Sequence, residues 1–244
     1  GWDEAEWPAA AAPVYRDGGV YLITGASGGI GRIVARALAE RHGARLVLLS
    51  RKPVEDSFVA EIERAVGEAL AIAADVSDMA SLTAALDRAR RRFGAIHGVF
   101  HAAGVLRDGL LQGLDPQAFA LVAAPKVAGA VNLDTALASE ELDFFLLFSS
   151  SASLGNAGQG TYAYANRFID GFAAWRDGRV RAGERHGHSV AVDWSPWRDG
   201  GMRVPDETLA WLRDRLGVVP LRTDEALDVL AVAACGSLSN PRVL

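Results

Sequence analysis

Val20-Tyr-Leu-Ile-Thr-Gly-Ala-Ser-Gly-Gly-Ile-Gly31, resuming as Arg32-Ile-Val-Ala-Arg-Ala-Leu-Ala39, decides the fold of this chain. The apolar residues from Val20 read as a buried parallel strand. The continuation places apolar residues at 33, 34, 37 and 38, one face of a helix. Between them Gly25, Gly29 and Gly31 make a tight turn whose backbone N–H groups can approach a pyrophosphate at the helix N-terminus. A glycine-rich turn alone can be an ordinary connection, but a strand before it and a helix after it support dinucleotide binding. Thr24, Gly25, Ser27, Gly29, Ile30 and Gly31 are therefore the cofactor candidates of this turn.

The composition permits that reading. The chain has 244 residues, half of them apolar, enough for one α/β domain with a sizeable core. A formal net charge of −5 gives no electrostatic case for nucleic acid. The single cysteine, Cys235, excludes an intrachain disulfide and has no neighbouring ligand set for zinc, so no metal is expected. No apolar stretch approaches the length of a membrane span, and residues 1–18 lack a basic segment followed by an apolar one. A soluble, cytoplasmic protein is expected.

Short apolar runs at 20–24, 45–50, 69–74, 96–101, 143–149 and 188–193 read as strands, and segments near 29–42, 56–67, 79–93, 115–138 and 160–182 as helices. Such β–α alternation predicts an α/β fold, a doubly wound parallel sheet of the Rossmann type with right-handed crossovers. Asp115-Pro116 fits a helix N-cap followed by proline in the first turn. Residues 1–18 fall outside the alternation and read as a linker or the remnant of a preceding subdomain, leaving 19–244 as the catalytic domain.

The second strand ends in Ser50-Arg51-Lys52, where an acidic residue would favour NAD and arginine accommodates a 2′-phosphate. Arginine can grip that phosphate bidentately, so the cofactor expected is NADPH, with Ser50 and Arg51 at its ribose. Asp75-Val76 follows the third strand, where Asp75 can also serve as a helix N-cap. His101-Ala102-Ala103-Gly104 ends the fourth, its small residues letting a cofactor approach the backbone. His101 itself reads as a packed or hydrogen-bonded residue rather than a catalyst.

The chemistry is expected in Phe148-Ser-Ser-Ser-Ala-Ser-Leu-Gly-Asn-Ala-Gly-Gln-Gly-Thr-Tyr162-Ala-Tyr-Ala-Asn166. Reducing a ketone needs a hydride donor and a proton for the developing alkoxide. A tyrosine phenol supplies the proton when a nearby ammonium lowers its pKa, and a serine hydroxyl shares the oxyanion charge. Thr24-Gly25-x-x-x-Gly29-x-Gly31 resembles the fingerprint of short-chain dehydrogenases and reductases. In most of that superfamily a lysine follows the tyrosine by four residues, but Asn166 stands there. The stretches Leu147-Phe-Ser-Ser, Gly158-Gln159-Gly-x-Tyr162-Ala-x-Ala-Asn166 and Ala124-Pro-Lys126-Val-x-Gly129 together resemble the ketoreductase domains of modular polyketide synthases, over about residues 19–240. In those domains lysine and asparagine exchange places between adjacent helices. Trp194-Ser-Pro-Trp197 with Gly200-Gly-Met202 is similar too, with Ser195 where glycine is usual.

The resemblance implies Tyr162 as proton donor, Lys126 as the ammonium, Asn166 as support for a relay, and Asp75 with Val76 at the adenine edge. Which serine polarises the carbonyl stays open: strand register favours Ser150, and counting back 13 residues from Tyr162 gives Ser149. The function implied is NADPH-dependent reduction of a β-ketoacyl thioester, carried on the phosphopantetheine arm of an acyl carrier protein, with other synthase domains in the same polypeptide. A free-standing acyl-carrier-protein reductase and a non-reducing or epimerising scaffold that binds NADPH are the alternatives. Leu106-Arg107-Asp108 resembles the Leu-x-Asp signature of B-type domains, which make the D-configured alcohol, and Leu154 stands where the opposite class usually has tryptophan. Tyr164 is not the proline associated with epimerising domains. Gly200 to about Leu216 reads as a mobile lid helix with Met202 at its hinge.

Overall fold

A computed structural model of the chain describes residues 14–65, 67–107, 112, 114–155, 158–200, 206–236 and 241–243. Seven parallel strands form one sheet: β1 (Val20–Thr24), β2 (Arg45–Ser50), β3 (Glu68–Ala73), β4 (Gly98–His101), β5 (Phe144–Phe148), β6 (His188–Trp194) and β7 (Arg242–Val243). Their spatial order is β3-β2-β1-β4-β5-β6-β7. The helices are α1 (Gly29–His42), α2 (Asp56–Arg64), α3 (Met79–Phe93), α4 (Pro116–Ala136), α5 (Gly160–Arg181), α6 (Asp206–Leu216) and α7 (Thr223–Ala234). Strand order reverses between β1 and β4, and in open parallel sheets the crevice at the carboxyl ends of such strands receives the ligand.

Alternate residues of each strand serve the two faces of the sheet. Tyr21, Ile23, Leu46, Leu48, Phe100, Phe144, Leu146, Val190 and Val192 pack with residues of α1, α2 and α7. Val20, Leu22, Val47, Leu49, Val99, Phe145, Leu147 and Ala191 pack with residues of α3, α4 and α5. Because both faces are covered, the strands read as continuous apolar runs. β1, β2, α1 and α3 lie at their expected boundaries, and other elements shift by a few residues at their ends. The shortest strand, β7, gains its identity only by pairing with Asp193 and Trp194 of β6. The apolar periodicity predicts neither β7 nor α7.

One correction concerns local structure. The N-cap of α3 is Asp78, whose carboxylate accepts from the Ala80 N–H at 3.1 Å. Asp75 instead accepts from the backbone N–H and the hydroxyl of Ser77, at 2.8 and 2.6 Å, an Asx turn that shapes the β3–α3 loop. Asp115 does cap α4, accepting from the Gln117 N–H at 3.1 Å with Pro116 in the first turn. Of the segment expected as a linker, residues 1–13 lie outside the described residues, while Val14 and Tyr15 pack against the core. Of the expected lid, α6 begins at Asp206, and Met202 lies outside the described residues.

One fully buried cation braces the face that carries α4 and α5. Arg176 of α5 pairs with Asp134 of α4 at 2.9 Å, donates to the Gly187 and His186 carbonyls and the Ser189 hydroxyl, and lies 4.4 Å from the Phe145 ring centroid. Arg185 also reaches Asp134 at 2.9 Å. Burying such a pair has a large desolvation cost, which the surrounding acceptors offset here. The cross-link holds α4 against α5, the two helices that meet at the site.

Candidate active site

The glycine turn leads from β1 into α1. Gly25 has φ of +71°, and a Cβ there would come within 2.7 Å of the Ala102 carbonyl oxygen, so the turn runs directly against the chain leaving β4. A Cβ on Gly31 would meet the Gly25 carbonyl oxygen at 2.6 Å. Both glycines are therefore required by packing. The N-cap of α1 is Gly28, with no side-chain cap and no acidic residue in the first turn. Its leading N–H groups are thus left to an external anion at the carboxyl edge of the sheet. Such a turn is one that could hold the pyrophosphate of a dinucleotide.

Thr24 ties that turn to β4. Its Oγ1 accepts from the Ala103 N–H at 3.2 Å and lies 2.8 Å from His101 Nδ1. Which of Thr24 Oγ1 and His101 Nδ1 donates in that contact depends on the imidazole tautomer. Burial, with the Lys126 ammonium nearby, pushes the imidazole down to about 3 and keeps it neutral. His101 is accordingly hydrogen-bonded through Thr24 between β1 and β4, and its Nε2 is buried with no hydrogen-bond partner. Val76 is buried; its carbonyl accepts from Asn132 Nδ2 at 3.0 Å, and its side chain lies against Gly129 of α4. Ser50 donates to the Lys52 carbonyl at 2.5 Å, shaping the end of β2, and Arg51 is exposed beside it.

The lysine–asparagine exchange is realised in space. Lys126 follows Pro125, which breaks one rung of the α4 hydrogen-bond ladder. Its side chain is buried, its Nζ donates to the Phe148 carbonyl at 2.5 Å, and Nζ lies 5.9 Å from the Tyr162 ring centroid. A Cβ on Gly104 would sit 3.1 Å from Lys126 Cε, so a side chain there would crowd the lysine by a few tenths of an ångström. Burial lowers the amine to about 8, and the Asp170 carboxylate opposes that fall.

On α5, Tyr162 and Asn166 lie one turn apart and both are buried. Asn166 Nδ2 donates to the Tyr162 carbonyl at 2.8 Å, while its Oδ1 is buried without a hydrogen-bond partner. The two serines differ. Ser149 is buried and donates toward the Asn166 carbonyl at 3.4 Å, turned into the protein. Ser150 is half-buried, and its Oγ accepts from the Ala152 N–H at 3.2 Å, which leaves its own proton to donate. It opens the 3₁₀ turn Ser151–Leu154, in which Leu154 is 59% exposed. Asp108 lies outside the described residues.

Two carboxylates not anticipated from sequence line the inner wall. Asp170, a further turn along α5, and Asp193 of β6 are both buried. A signal existed: Tyr162, Asn166 and Asp170 recur every four residues on one helix face, and Asp193 interrupts an apolar strand. Among the described residues no group of three or more His, Cys, Asp or Glu could hold a metal, and no helix is long and apolar enough to cross a membrane.

Residues 19–199 match the family model of the KR domain. Polyketide synthase PksN of Bacillus subtilis is 38% identical over 88% of this chain, but the match spans only 4% of that protein. A crystal structure of a ketoreductase domain from the bacillaene assembly line is 32% identical, with a TM-score of 0.91 over 97% of this chain and 58% of the other. A short-chain type dehydrogenase/reductase from Mycobacterium marinum shares the fold at 20% identity, with a TM-score of 0.81 over 94% of this chain and 95% of the other.

Proposed function

The chain belongs to the KR-domain family of polyketide synthases, and on that premise we propose the reaction that this ketoreductase carries out. It reduces a β-ketoacyl thioester, presented on the phosphopantetheine arm of an acyl carrier protein, to the β-hydroxyacyl thioester. The carrier and other synthase domains are its partners, with residues 19–244 as the catalytic domain and 1–18 as a linker or the remnant of a preceding subdomain. The observation that carries the reading is the buried Lys126 ammonium beside the Tyr162 ring, which favours the phenolate left when the proton departs.

The nicotinamide cofactor, when bound, supplies the hydride. The α1 N-terminus and the turn from Thr24 to Gly31, including Ser27, Gly29 and Ile30, would hold its pyrophosphate. Arg51 and Ser50 would hold the 2′-phosphate, which makes the cofactor NADPH, while Asp75 and Val76 border the adenine. Ala102, Ala103 and Gly104 would lie under the nicotinamide half. Tyr162 donates the proton to the developing alkoxide. Ser150, whose hydroxyl proton is not committed internally, shares the oxyanion charge; Ser149 is turned toward Asn166 and acts structurally. Asn166, with one orphaned acceptor beside Tyr162, orders the relay that returns the proton.

Tyr162→Phe should keep NADPH affinity while kcat falls by at least ~10²-fold, the scale of a positioned acid. NADPH oxidation with trans-1-decalone reads this out, and near-native turnover would remove Tyr162 from its role. In the same assay Ser150→Ala should lose far more turnover than Ser149→Ala.

The cofactor prediction follows from Arg51. A charge-assisted hydrogen bond contributes ~1.5–3 kcal/mol, and the exposure of Arg51 favours the lower end. Arg51→Ala should therefore weaken NADPH binding about tenfold, with NADH little changed. Equal affinity of the native chain for NADH and NADPH, measured by titration, contradicts the assignment.

The product is the D-configured β-alcohol, without epimerisation. Hydride arrives from one fixed nicotinamide face, so the hand depends on which carbonyl face the bound arm presents. Leu154 and the Leu106-Arg107-Asp108 stretch support the B-type assignment, and Met202 is a further candidate for control of the substrate. Chiral chromatography of the product from an unsubstituted β-ketoacyl thioester should give mainly the D alcohol; mainly L overturns it.

A further inference from the structure

Ser150 stands where the chain leaves the sheet. One residue past β5, the Ser149 N–H still donates to the Val192 carbonyl of β6 at 2.9 Å. From Ser150 onward the backbone is held by the 3₁₀ turn Ser151–Leu154. The Ser153 N–H donates to the Ser150 carbonyl at 2.8 Å, and the Ala152 N–H to Ser150 Oγ at 3.2 Å. The direction of the Ser150 hydroxyl is therefore set by this turn. A single 3₁₀ turn has weak hydrogen bonds of its own and needs an anchor to hold one position.

Among the described residues, Ser153 is the residue of the turn whose side chain bonds to the body of the domain. Its Oγ donates to Asp193 Oδ2 at 3.3 Å. Val192 and Trp194 of β6 pack on the side of α1 and α7, so strand alternation sends the Asp193 carboxylate to the α5 side, with Ala191. Asp193 is 3% exposed and Ser153 8%. A carboxylate buried in an otherwise apolar strand is costly unless polar groups meet it, and here the turn supplies one. The Asp193 backbone is itself fixed, its N–H donating to the Pro241 carbonyl at 3.0 Å and the residue pairing with Arg242 of β7. The acceptor thus sits on a rigid strand and the donor on the turn that carries Ser150.

We propose that Asp193 is a positioning residue: acting through Ser153, it pins the 3₁₀ turn and so aims the Ser150 hydroxyl at the developing oxyanion. An oxyanion donor works only when it is held in place beforehand, so a turn that swings loses rate without losing cofactor. The rate consequence rests on the proposed reductase reading, in which Ser150 shares the oxyanion charge; the anchoring does not.

Hydrogen exchange followed by NMR, without substrate, tests the anchor in Ser153→Ala and Asp193→Ala. The Ala152 and Ser153 amides should exchange about tenfold faster in both, the scale of one lost hydrogen bond, while amides of β1 keep their native protection. Turnover of NADPH with trans-1-decalone tests the consequence. Each substitution should lower kcat about tenfold, a part of the ~10²–10³-fold that a missing oxyanion donor costs, with NADPH affinity unchanged. The double variant should fall no further than either single one, as two residues acting as a unit do. In a Ser150→Ala background, Asp193→Ala should cost less than about twofold, because no hydroxyl is left to aim. Asp193→Asn, which keeps an acceptor for Ser153, should restore most of the lost turnover. A residue that only supported packing would lower kcat by the same factor with or without Ser150, and that result overturns the proposal. So does native kcat in Asp193→Ala, or unchanged amide protection in Ser153→Ala, which serves alone should Asp193→Ala fail to fold. Faster exchange in a protein whose native form oxidises no NADPH would retire the reductase reading and leave the anchor standing.

Discussion

The site depends on one buried ammonium approaching a tyrosine from a neighbouring helix. Lys126 reaches the Tyr162 ring from α4, whereas the tyrosine's own helix carries Asn166 one turn on. Placing a cation there is expensive, and the local sequence responds to that cost. Gly104 leaves room for the side chain, the Phe148 carbonyl at the end of β5 accepts one proton, and Asp170 supplies opposite charge. The Arg176–Asp134 cross-link farther along the same two helices holds α4 and α5 together. Nothing about the lysine alone explains its position; the strand ends around it do.

The same strand ends organise the cofactor half. Thr24, His101 and Ala103 form one hydrogen-bonded chain from β1 to β4, and its far end faces the backbone at Lys126. The glycine turn is pressed against Ala102 by the positive φ of Gly25. The glycine turn and the Lys126–Tyr162 pair thus share a common frame, the carboxyl edge of β1, β4 and β5.

Much of this is legible in the amino-acid sequence. The fold follows from the alternation of apolar runs with amphipathic segments, because a sheet covered on both faces needs continuous apolar strands. Tyr162, Lys126 and Asn166 can be named from spacing and resemblance, and the structure brings them together. The remaining features are decided by tertiary context. β7 spans two residues and exists only because β6 offers an edge. Asp78 rather than Asp75 caps α3, since Asp75 is engaged by Ser77. In sequence Asp170 shares the helix face of Tyr162 and Asn166, but only packing of α5 against the sheet shows it buried, as Asp193 of β6 is too. Ser149 and Ser150 cannot be separated by counting, because their difference lies in which way each hydroxyl turns at the strand end.

The most direct test of this account is a single-turnover measurement of hydride transfer in Lys126→Met, with NADPH bound before the β-ketoacyl thioester is added. Methionine keeps the apolar stem of the side chain and removes the ammonium, with its charge and its hydrogen bond to the Phe148 carbonyl. Loss of the ammonium should slow NADPH oxidation by ~10²-fold or more at neutral pH, with cofactor still bound. Hydride transfer within about threefold of the native rate, on a scale where positioned acid catalysis is worth ~10²–10⁴-fold, would contradict it.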